Sequence, residues 1–505
     1  MTSIVAAVAE TEEARPVVGR GGALRVTWVQ PEDLVGHELR QAAEDGRDPR
    51  AVAAVAETWR DAGGAPSPVA AGASPSPAAP RLRALAERLL DELAALPVHC
   101  ADREPTDLAA ILAACPDWPA APRCGSQGGP VDDEPPGSDA AVGSRHLPRP
   151  ASPGHARIDA LHAAWLGRAV GCLLGKPVEK LPLAGIRALA AATGNWPLRT
   201  WFTAEGLPDD LARAHPWNRR SAATSLAENI DGMPEDDDLN YPLLNLLLLQ
   251  RYGRGFTTRD VAALWLDELP AGRTFTAERI AYRNLLTGVE PPETARHHNP
   301  FREWIGAAIR ADVHGWTHPG NPGAAAAQAH RDAVLTHTAN GVYAAMFVAA
   351  TIAAAGGGAG VHQALATGLT VVPPGSRLAG AVRLGIETAR AEAEFDAVVD
   401  RLHRTLGHYH WVHAVPNAAL LAAALTHADG DFGGAVCRAV SGGWDTDSNG
   451  ATAGSIGGLL AGHPTALGER WTGPLKNRLA SSVGTFDGIG FDALAHLTHQ
   501  EAQRP

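Results

Sequence analysis

From residue 157 onward apolar residues return every three or four positions, and the strict alternation of a half-buried strand is nearly absent. The pattern predicts helices over residues 160–174, 239–252, 258–268, 324–355, 374–395, 416–427 and 434–440, and hence an all-α fold. Residues 343–355 are apolar enough to read as a helix buried all round. Ahead of this region the pattern is sparser. Helical periodicity covers residues 29–64 and 81–95, with a Pro/Ala/Ser-rich tract at 65–80 between them. A second tract, from about residue 116 to 153, is rich in Pro, Gly and Asp and has too few apolar side chains to offset chain entropy. The expected organisation is a small helical appendage over 1–95, a Pro/Gly-rich linker over 96–156 expected to be disordered, and one large helical domain over 157–505.

Two acidic runs stand where helices begin. The first, Glu235-Asp236-Asp237-Asp238, leads through Leu239-Asn240-Tyr241-Pro242 into the apolar residues 243–249. Pro242 suits a first helical turn, whose amides have no intrahelical partner. The second, Asp445-Thr446-Asp447-Ser448, follows Gly442-Gly443-Trp444 and opens onto the small residues 449–458, a helix that lets another backbone come close. Adjacent carboxylates repel, and burying them uncompensated is costly, so a cluster that continues as a core is normally paired or metal-bound. The competing reading is a solvated charged face. Carboxylate and hydroxyl oxygens suit Mg²⁺, Mn²⁺ or Ca²⁺ better than zinc.

With two further segments these runs resemble the ADP-ribosylglycohydrolase family, over about residues 157 to 500. One segment is residues 167–179, Gly-Arg-Ala-Val-Gly-Cys-Leu-Leu-Gly-Lys-Pro-Val-Glu; the other runs from Gly306-Ala307-Ala308-Ile309-Arg310 to Leu335-Thr336-His337. The resemblance implies a compact orthogonal helical bundle with a binuclear metal site at converging helix ends. It implies two Mg²⁺ ions, with Mn²⁺ as an alternative, held by Asp236, Asp237, Asp238, Asp445, Asp447 and Ser448. Asp236 then stands at the family's usual Thr; a register shifted by one would bring in Glu235 and drop Asp238. Glu179, Asp237 and Asp447 are the implied catalytic residues, Glu179 orienting or deprotonating water. Its competing reading is an exposed salt bridge with Lys176 or Lys180.

Substrate contacts implied by the resemblance are the backbone at Gly306, Arg310, His337 and Trp444. Arg310 is either a phosphate contact or a buried partner of Asp312. His337 would reach the ribose or a phosphate, and is otherwise a hydrogen-bonded core residue. Two positions depart from the family pattern: Cys172 replaces a common Asp, and Trp444 replaces the second glycine of Gly-Gly-Asp. An indole there would either narrow the pocket and stack on substrate or point into the core. The implied activity is Mg²⁺-dependent hydrolysis of the glycosidic bond of an ADP-ribosyl group, releasing ADP-ribose from a protein or small acceptor. The alternatives are a hydrolase of a smaller N- or O-ribosyl compound and a non-catalytic ADP-ribose-binding or structural relative.

Composition narrows the partners. The net charge of −12 over 505 residues, with a pI of about 5.9, argues against nucleic acid or an anionic membrane as main partner. Residues 1–14 are too acidic for a secretory signal, and no stretch reaches the ~20 uninterrupted apolar residues of a membrane span. Five cysteines, an odd count, suggest a reducing, cytoplasmic setting. Cys100, Cys115 and Cys124 with His99 match no zinc spacing. His408, His410 and His413 around Trp411 read as packing and capping residues rather than a metal cluster.

Overall fold

The computed structural model describes residues 26–67, 76–119 and 153–504, with the backbone alone at 153–156. The fold is all-α. Among the described residues there is no strand, only the isolated bridges Met233–Leu479 and Trp304–His413. The chain divides into two compact units, Met1–Leu96 and Pro97–Pro505.

The first unit contains helices Pro31–Glu44, Pro49–Asp61 and Pro80–Ala95, each opened by a proline whose missing N–H costs nothing in a first turn. The periodic stretch 29–64 is therefore two helices, because Gly46 adopts a φ of +68° between them. Leu34, Leu39, Trp59, Leu89 and Leu93 form its core. Arg47 caps the third helix by donating to the carbonyls of Ala94 (3.1 Å) and Leu96 (2.9 Å).

In the second unit the pivotal contact joins helices Pro153–Gly175 and Thr446–Ala461. Gly167, Gly171 and Gly175 recur every fourth residue and so share one face. They meet Gly454, Gly450 and Thr446 in reverse order, which makes the pair antiparallel. A methyl group on Gly171 would overlap the Gly450 carbonyl, and one on Gly450 the Gly171 carbonyl. Backbone thus packs on backbone, and the start of the later helix is pinned beside the end of the earlier one.

The helix Ala339–Gly356 is long and apolar enough by length and composition to cross a membrane, but nearly all its side chains are buried by neighbouring helices. Residues 324–355 read as one helix in sequence and form two, Pro322–Ala333 and Ala339–Gly356. Tertiary bonds consume the polar groups at the break: Asn299 donates to the Thr336 carbonyl (2.9 Å), Arg310 to the Thr336 hydroxyl (2.8 Å), and the Thr338 amide to the Arg302 carbonyl (2.9 Å).

The expected linker needs correction at its start. Residues 97–119 belong to the second unit, where Leu108–Ala114 is helical and Ile111 and Cys115 are core residues. Glu104 is paired with Arg377 (2.7 Å), His330 Nε2 lies 2.8 Å from the Thr106 carbonyl, and the Tyr343 hydroxyl donates to the Pro105 carbonyl. These partners lie more than two hundred residues away, beyond any local periodicity. Cys124 and the rest of the tract, 120–152, lie outside the described residues.

The glycine seam makes a paired prediction. Gly171→Ala should lower stability by at least about 1–3 kcal/mol, since the added methyl meets backbone that cannot yield. Gly380→Ala, on an exposed turn of helix Arg377–Ala391 with open space at its Cα, should raise it by about 0.5–1 kcal/mol. Urea unfolding of both variants checks the opposite signs.

Candidate metal centre

Asp236 is the N-cap of helix Asp237–Tyr252, its Oδ1 accepting from the Asp238 amide at 2.9 Å. Pro242 lies inside this helix, past the first turn where sequence placed it. Its missing N–H leaves the Asp238 carbonyl without its i+4 donor. Arg168 supplies the bond instead: Nε donates to that carbonyl (2.7 Å), while Nη2 holds the Asp238 carboxylate (3.2 Å) and Nη1 holds Asp312 (2.9 Å). A proline and a buried arginine thus fix the first acidic run together.

The second run turns on Gly443 (φ +77°) and Trp444 (φ +55°) into the N-terminus of helix Thr446–Ala461. Asn417 Oδ1 accepts from the Asp445 amide (3.1 Å) and from Asn449 Nδ2 (2.7 Å). The Thr446 hydroxyl donates to the Gly175 carbonyl (2.9 Å). Ser448 Oγ donates to Asp238 Oδ2 at 3.2 Å, joining the two acidic runs.

A third element completes the site. The turn Lys176–Val178 follows directly on helix Pro153–Gly175 and ends at Glu179. Glu179 Oε2 accepts from Asn218 Nδ2 (2.6 Å), and Oε1 pairs with Lys180 (2.8 Å). The expected salt bridge with Lys180 is present, on a carboxylate that is partly buried at the site's edge. Lys176 turns the other way, burying its ammonium in an ion pair with Asp236.

Charge crowding shapes the titration of the cluster. Burial, then the neighbouring Asp236, Asp447 and Glu179, push Asp237 well above the usual carboxylate range. Burial and Asp236 do the same to Asp238 against the pull of Arg168, and burial and Asp447 to Asp445. Asp447 is pushed up to about 7 by burial, Glu179 and Asp236. Asp236 is the exception: burial works upward on it, but the Lys176 ammonium together with hydrogen bonds from the Asp238 amide and Cys172 brings it below the usual range. Cationic partners are unevenly shared. Asp236 has Lys176, Asp238 has Arg168 and Glu179 has Lys180, while Asp237, Asp445 and Asp447 have no cationic side chain within 4.0 Å. An oxygen donor set with unbalanced, largely buried negative charge fits a hard divalent cation. The Cys172 thiol is buried beside it, its Sγ and carboxylate oxygens of Asp236 and Asp238 lying within 4.8 Å of one another.

Other expected residues fall elsewhere. Glu235 faces Arg273 (2.9 Å) and Asn240 (3.2 Å), so Asp238 is the acid that meets the second run. Arg310 is not placed for a phosphate. It is fully buried, with Nε on Asp332 (2.9 Å), Nη1 on Glu278 (3.0 Å) and the Gly306 carbonyl (3.2 Å), and Nη2 on Thr336 (2.8 Å) and the Asp332 carbonyl (3.2 Å). Every guanidinium donor is engaged, and Asp332 rather than Asp312 is its main partner. Gly306 serves the same network, since a Cβ there would run into the Glu278 carboxylate. His337 is also fully buried, its Nδ1 2.6 Å from the Thr336 hydroxyl, and burial together with Arg310 keeps its imidazole neutral. These three expected substrate contacts are core residues, because Arg310 needs acidic partners drawn from several helices at once. His410 stacks on Trp304 and His413 caps helix Ala414–Ala428.

Trp444 packs on a protein partner of its own. Its indole is only 7% exposed and lies flat on His403, ring centroids 3.9 Å apart and planes within 5°. His403 is itself anchored to the Gly442 carbonyl (2.8 Å). The φ of +55° explains why a glycine suits the position, and the buried stack is what holds a tryptophan there. Sequence reading missed the supporting residues Arg168, Asn218 and Asn417. Of these only Arg168 leaves a signal, as a lone charge in the apolar run 160–174.

Trp444→Gly should relieve backbone strain of about 1 kcal/mol and lose about 3–5 kcal/mol of buried indole, a net destabilisation. Chemical denaturation measures it; unchanged or raised stability would return the indole to the pocket.

A solved structure described as an ADP-ribosylglycohydrolase-related protein complex is similar to this chain, with 21% identity, coverage of 69% of this chain and 100% of that one, and a TM-score of 0.44. No curated protein matches the chain. The sequence model of the ADP-ribosylglycohydrolases matches residues 153–503, which hold every element of the acidic centre. The chain belongs to the ADP-ribosylglycohydrolase family, whose activity is glycoside hydrolysis of ADP-ribosyl compounds.

Proposed function

We propose that this protein cleaves the bond between the anomeric ribose carbon of an ADP-ribosyl group and its acceptor, releasing ADP-ribose, with Mg²⁺ or Mn²⁺ as cofactor. The observation that carries this reading is the joining of the two acidic runs through Ser448 and Asp238 (3.2 Å), where Asp237, Asp445 and Asp447 have no cationic side chain within 4.0 Å and each feels the Glu179 carboxylate. A bundle built only for stability gains nothing from buried, mutually repelling acids. That same feature speaks against a purely structural relative. The reading of a smaller ribosyl substrate drew on a pocket narrowed by Trp444, and the stacking of the indole on His403 weighs against it.

Asp236, Asp237, Asp238, Asp445, Asp447 and Ser448 would hold the metal. When bound, it supplies concentrated positive charge that orients ribose hydroxyls and makes water a better nucleophile. The remaining work falls to the chain. Glu179 is held in place by Asn218 and Lys180, so its carboxylate can take a proton from water without first being ordered. Loss of the acceptor builds positive charge on the ribose ring, and carboxylates already in position oppose it without reorganising. The substrate is an ADP-ribosylated protein or a small ADP-ribosyl compound, and a cytoplasmic setting accords with the odd cysteine count.

Arginine-, serine- and nucleic-acid-linked ADP-ribose, each assayed with Mg²⁺ and with EDTA, test the activity. ADP-ribose release from at least one and its loss in EDTA are expected, with Asp237→Asn, Asp447→Asn and Glu179→Gln each lowering kcat/KM by about 100-fold or more. Undiminished turnover in EDTA would sink the proposal.

The titration of Asp447 gives a second test. Its value is about 7 in the folded protein against an ordinary 3.8, so its contribution to stability is complete below about pH 4 and is lost as pH rises through about 7. A cation needs the ionised form and reverses that loss. The rise in Tm produced by saturating Mn²⁺ should therefore be larger at pH 8 than at pH 5.5. Equal shifts would place the ion elsewhere.

A further inference from the structure

Residues 97–119 have no part in the chemistry above, and they lie outside residues 153–503, the span of the family match. Ile111 and Cys115 already fasten this strap to the second unit by apolar burial. Its buried carboxylate, Glu104, adds a desolvation cost that fastening alone does not require. Glu104 Oε1 accepts from the Arg377 backbone amide (2.7 Å) and Oε2 from Arg377 Nη2 (2.7 Å), with Nε shared between the two oxygens (3.1 and 3.0 Å).

From Arg377 the bonds lead inward. Nη2 also donates to both oxygens of the buried Glu303 (2.9 Å each). Glu303 Oε1 accepts from the amide and Nδ2 of Asn340 (3.2 and 2.9 Å). His413 Nδ1 accepts from the Val415 amide (3.2 Å), which leaves the proton of the neutral ring on Nε2, facing Glu303 Oε2 at 3.6 Å. The Glu303 carbonyl takes the Ala414 amide (3.0 Å), so Glu303 holds the start of helix Ala414–Ala428 by main chain and side chain together. In the first turn of that helix, Asn417 donates to the carbonyls of Trp411 and His413 (2.8 Å each) and accepts from the Asp445 amide (3.1 Å). Turning the Asn417 amide over would set donor against donor, so its direction is fixed. Contacts of 3.6 Å or less thus run from Glu104 to the second acidic run.

What Glu104 restrains is the arginine fork. Arg377 Nη1 is buried with no hydrogen-bond partner among the described residues. Without Glu104 the guanidinium is free to turn Nη1 and Nη2 together onto Glu303, the two-pronged geometry an arginine favours with a carboxylate. That rotation would draw Glu303 away from Asn340 and His413 and slacken the turn that seats Asn417 against Asp445. By engaging Nε and Nη2, Glu104 keeps the fork side-on.

We propose that Glu104 is a positioning residue of the acidic centre, acting through Arg377, Glu303 and Asn417 to set the place of Asp445. The strap is then part of the working catalytic unit, which starts ahead of the family span. Its test rests on the reading that the acidic runs bind a divalent cation.

The experiment is a Mn²⁺ titration of the full-length protein, freed of metal with chelator and followed by the electron paramagnetic resonance signal of the unbound ion. Glu104→Gln, nearly the same shape, should weaken Mn²⁺ binding about tenfold. Ile111→Val, which loosens the same strap without touching its ion pairs, should lower the melting temperature and leave the affinity unchanged. Glu303→Gln should weaken binding as well, and adding Glu104→Gln to it should weaken it no further, because charge losses acting through space add and losses along one chain of contacts do not. Wild-type affinity in a folded Glu104→Gln, or an additive loss in the double variant, would overturn the inference. An equal loss in Ile111→Val, the mark of a merely structural tie, would overturn it too. If Glu104→Gln does not fold, Glu104→Asp, which keeps the charge and shortens the reach, takes its place: weaker binding is expected, and wild-type affinity would again overturn the inference. No Mn²⁺ binding by the wild-type protein would overturn the metal reading itself and this inference with it.

Discussion

Backbone contact between two helices that begin almost three hundred residues apart is the constraint on which the site depends. Gly167, Gly171 and Gly175 lie against Gly454, Gly450 and Thr446 with no side chains between the facing backbones. Because the pair is antiparallel, the end of one helix meets the start of the other. The Thr446 hydroxyl donating to the Gly175 carbonyl fastens that end, using an acceptor that a helix C-terminus leaves open. Lys176 and Glu179 follow Gly175 within four residues, and Asp445, Asp447 and Ser448 stand within two of Thr446. The seam therefore sets the distance between the acids, and a side chain in it would move them apart.

Around that seam the unit buries several ionised networks, and they divide by whether their charges balance. Arg310 with Asp332, Glu278 and Thr336 satisfies every donor, so it is a structural tie among the segments around residues 278, 310 and 332–336. Arg168 is similar, and it also takes the carbonyl that Pro242 leaves open. Removing one partner from either would leave a buried charge alone, which costs more than the pair itself contributes. The acidic centre, by contrast, is left out of balance. Unrelieved repulsion among Asp237, Asp445 and Asp447 opposes folding in the absence of a cation, and the glycine seam and arginine ties hold the acids together in spite of it.

Some of this was legible along the chain. Asp236-Asp237-Asp238 running into leucines, and Asp445-Thr446-Asp447-Ser448 opening a small-residue helix, each marked a helix start and together a shared site. Those are local patterns, governed by capping preferences and by the burial that follows. The all-α class was legible for the same reason, since helical periodicity repeats within a few turns. The family resemblance supplied the pairing of the two runs.

Roles set by distant partners were not legible. Arg310 and His337 look the same in sequence whether they face a phosphate or a core; Asp332, Glu278 and Thr336 decided it. Lys176 read as a neighbour for Glu179, but its ammonium chose Asp236, sixty residues on. Trp444 read equally as a substrate contact or a core residue, and only the fold lays His403 against its face. Residues 97–119 read as linker because their partners, Arg377, His330 and Tyr343, lie far along the chain. Sequence determines what a segment becomes when the decisive energies are local, as with caps, helical faces and glycine spacing. Where a side chain has several possible partners of similar chemistry, only the tertiary structure decides, because desolvation makes the buried partner the one that counts.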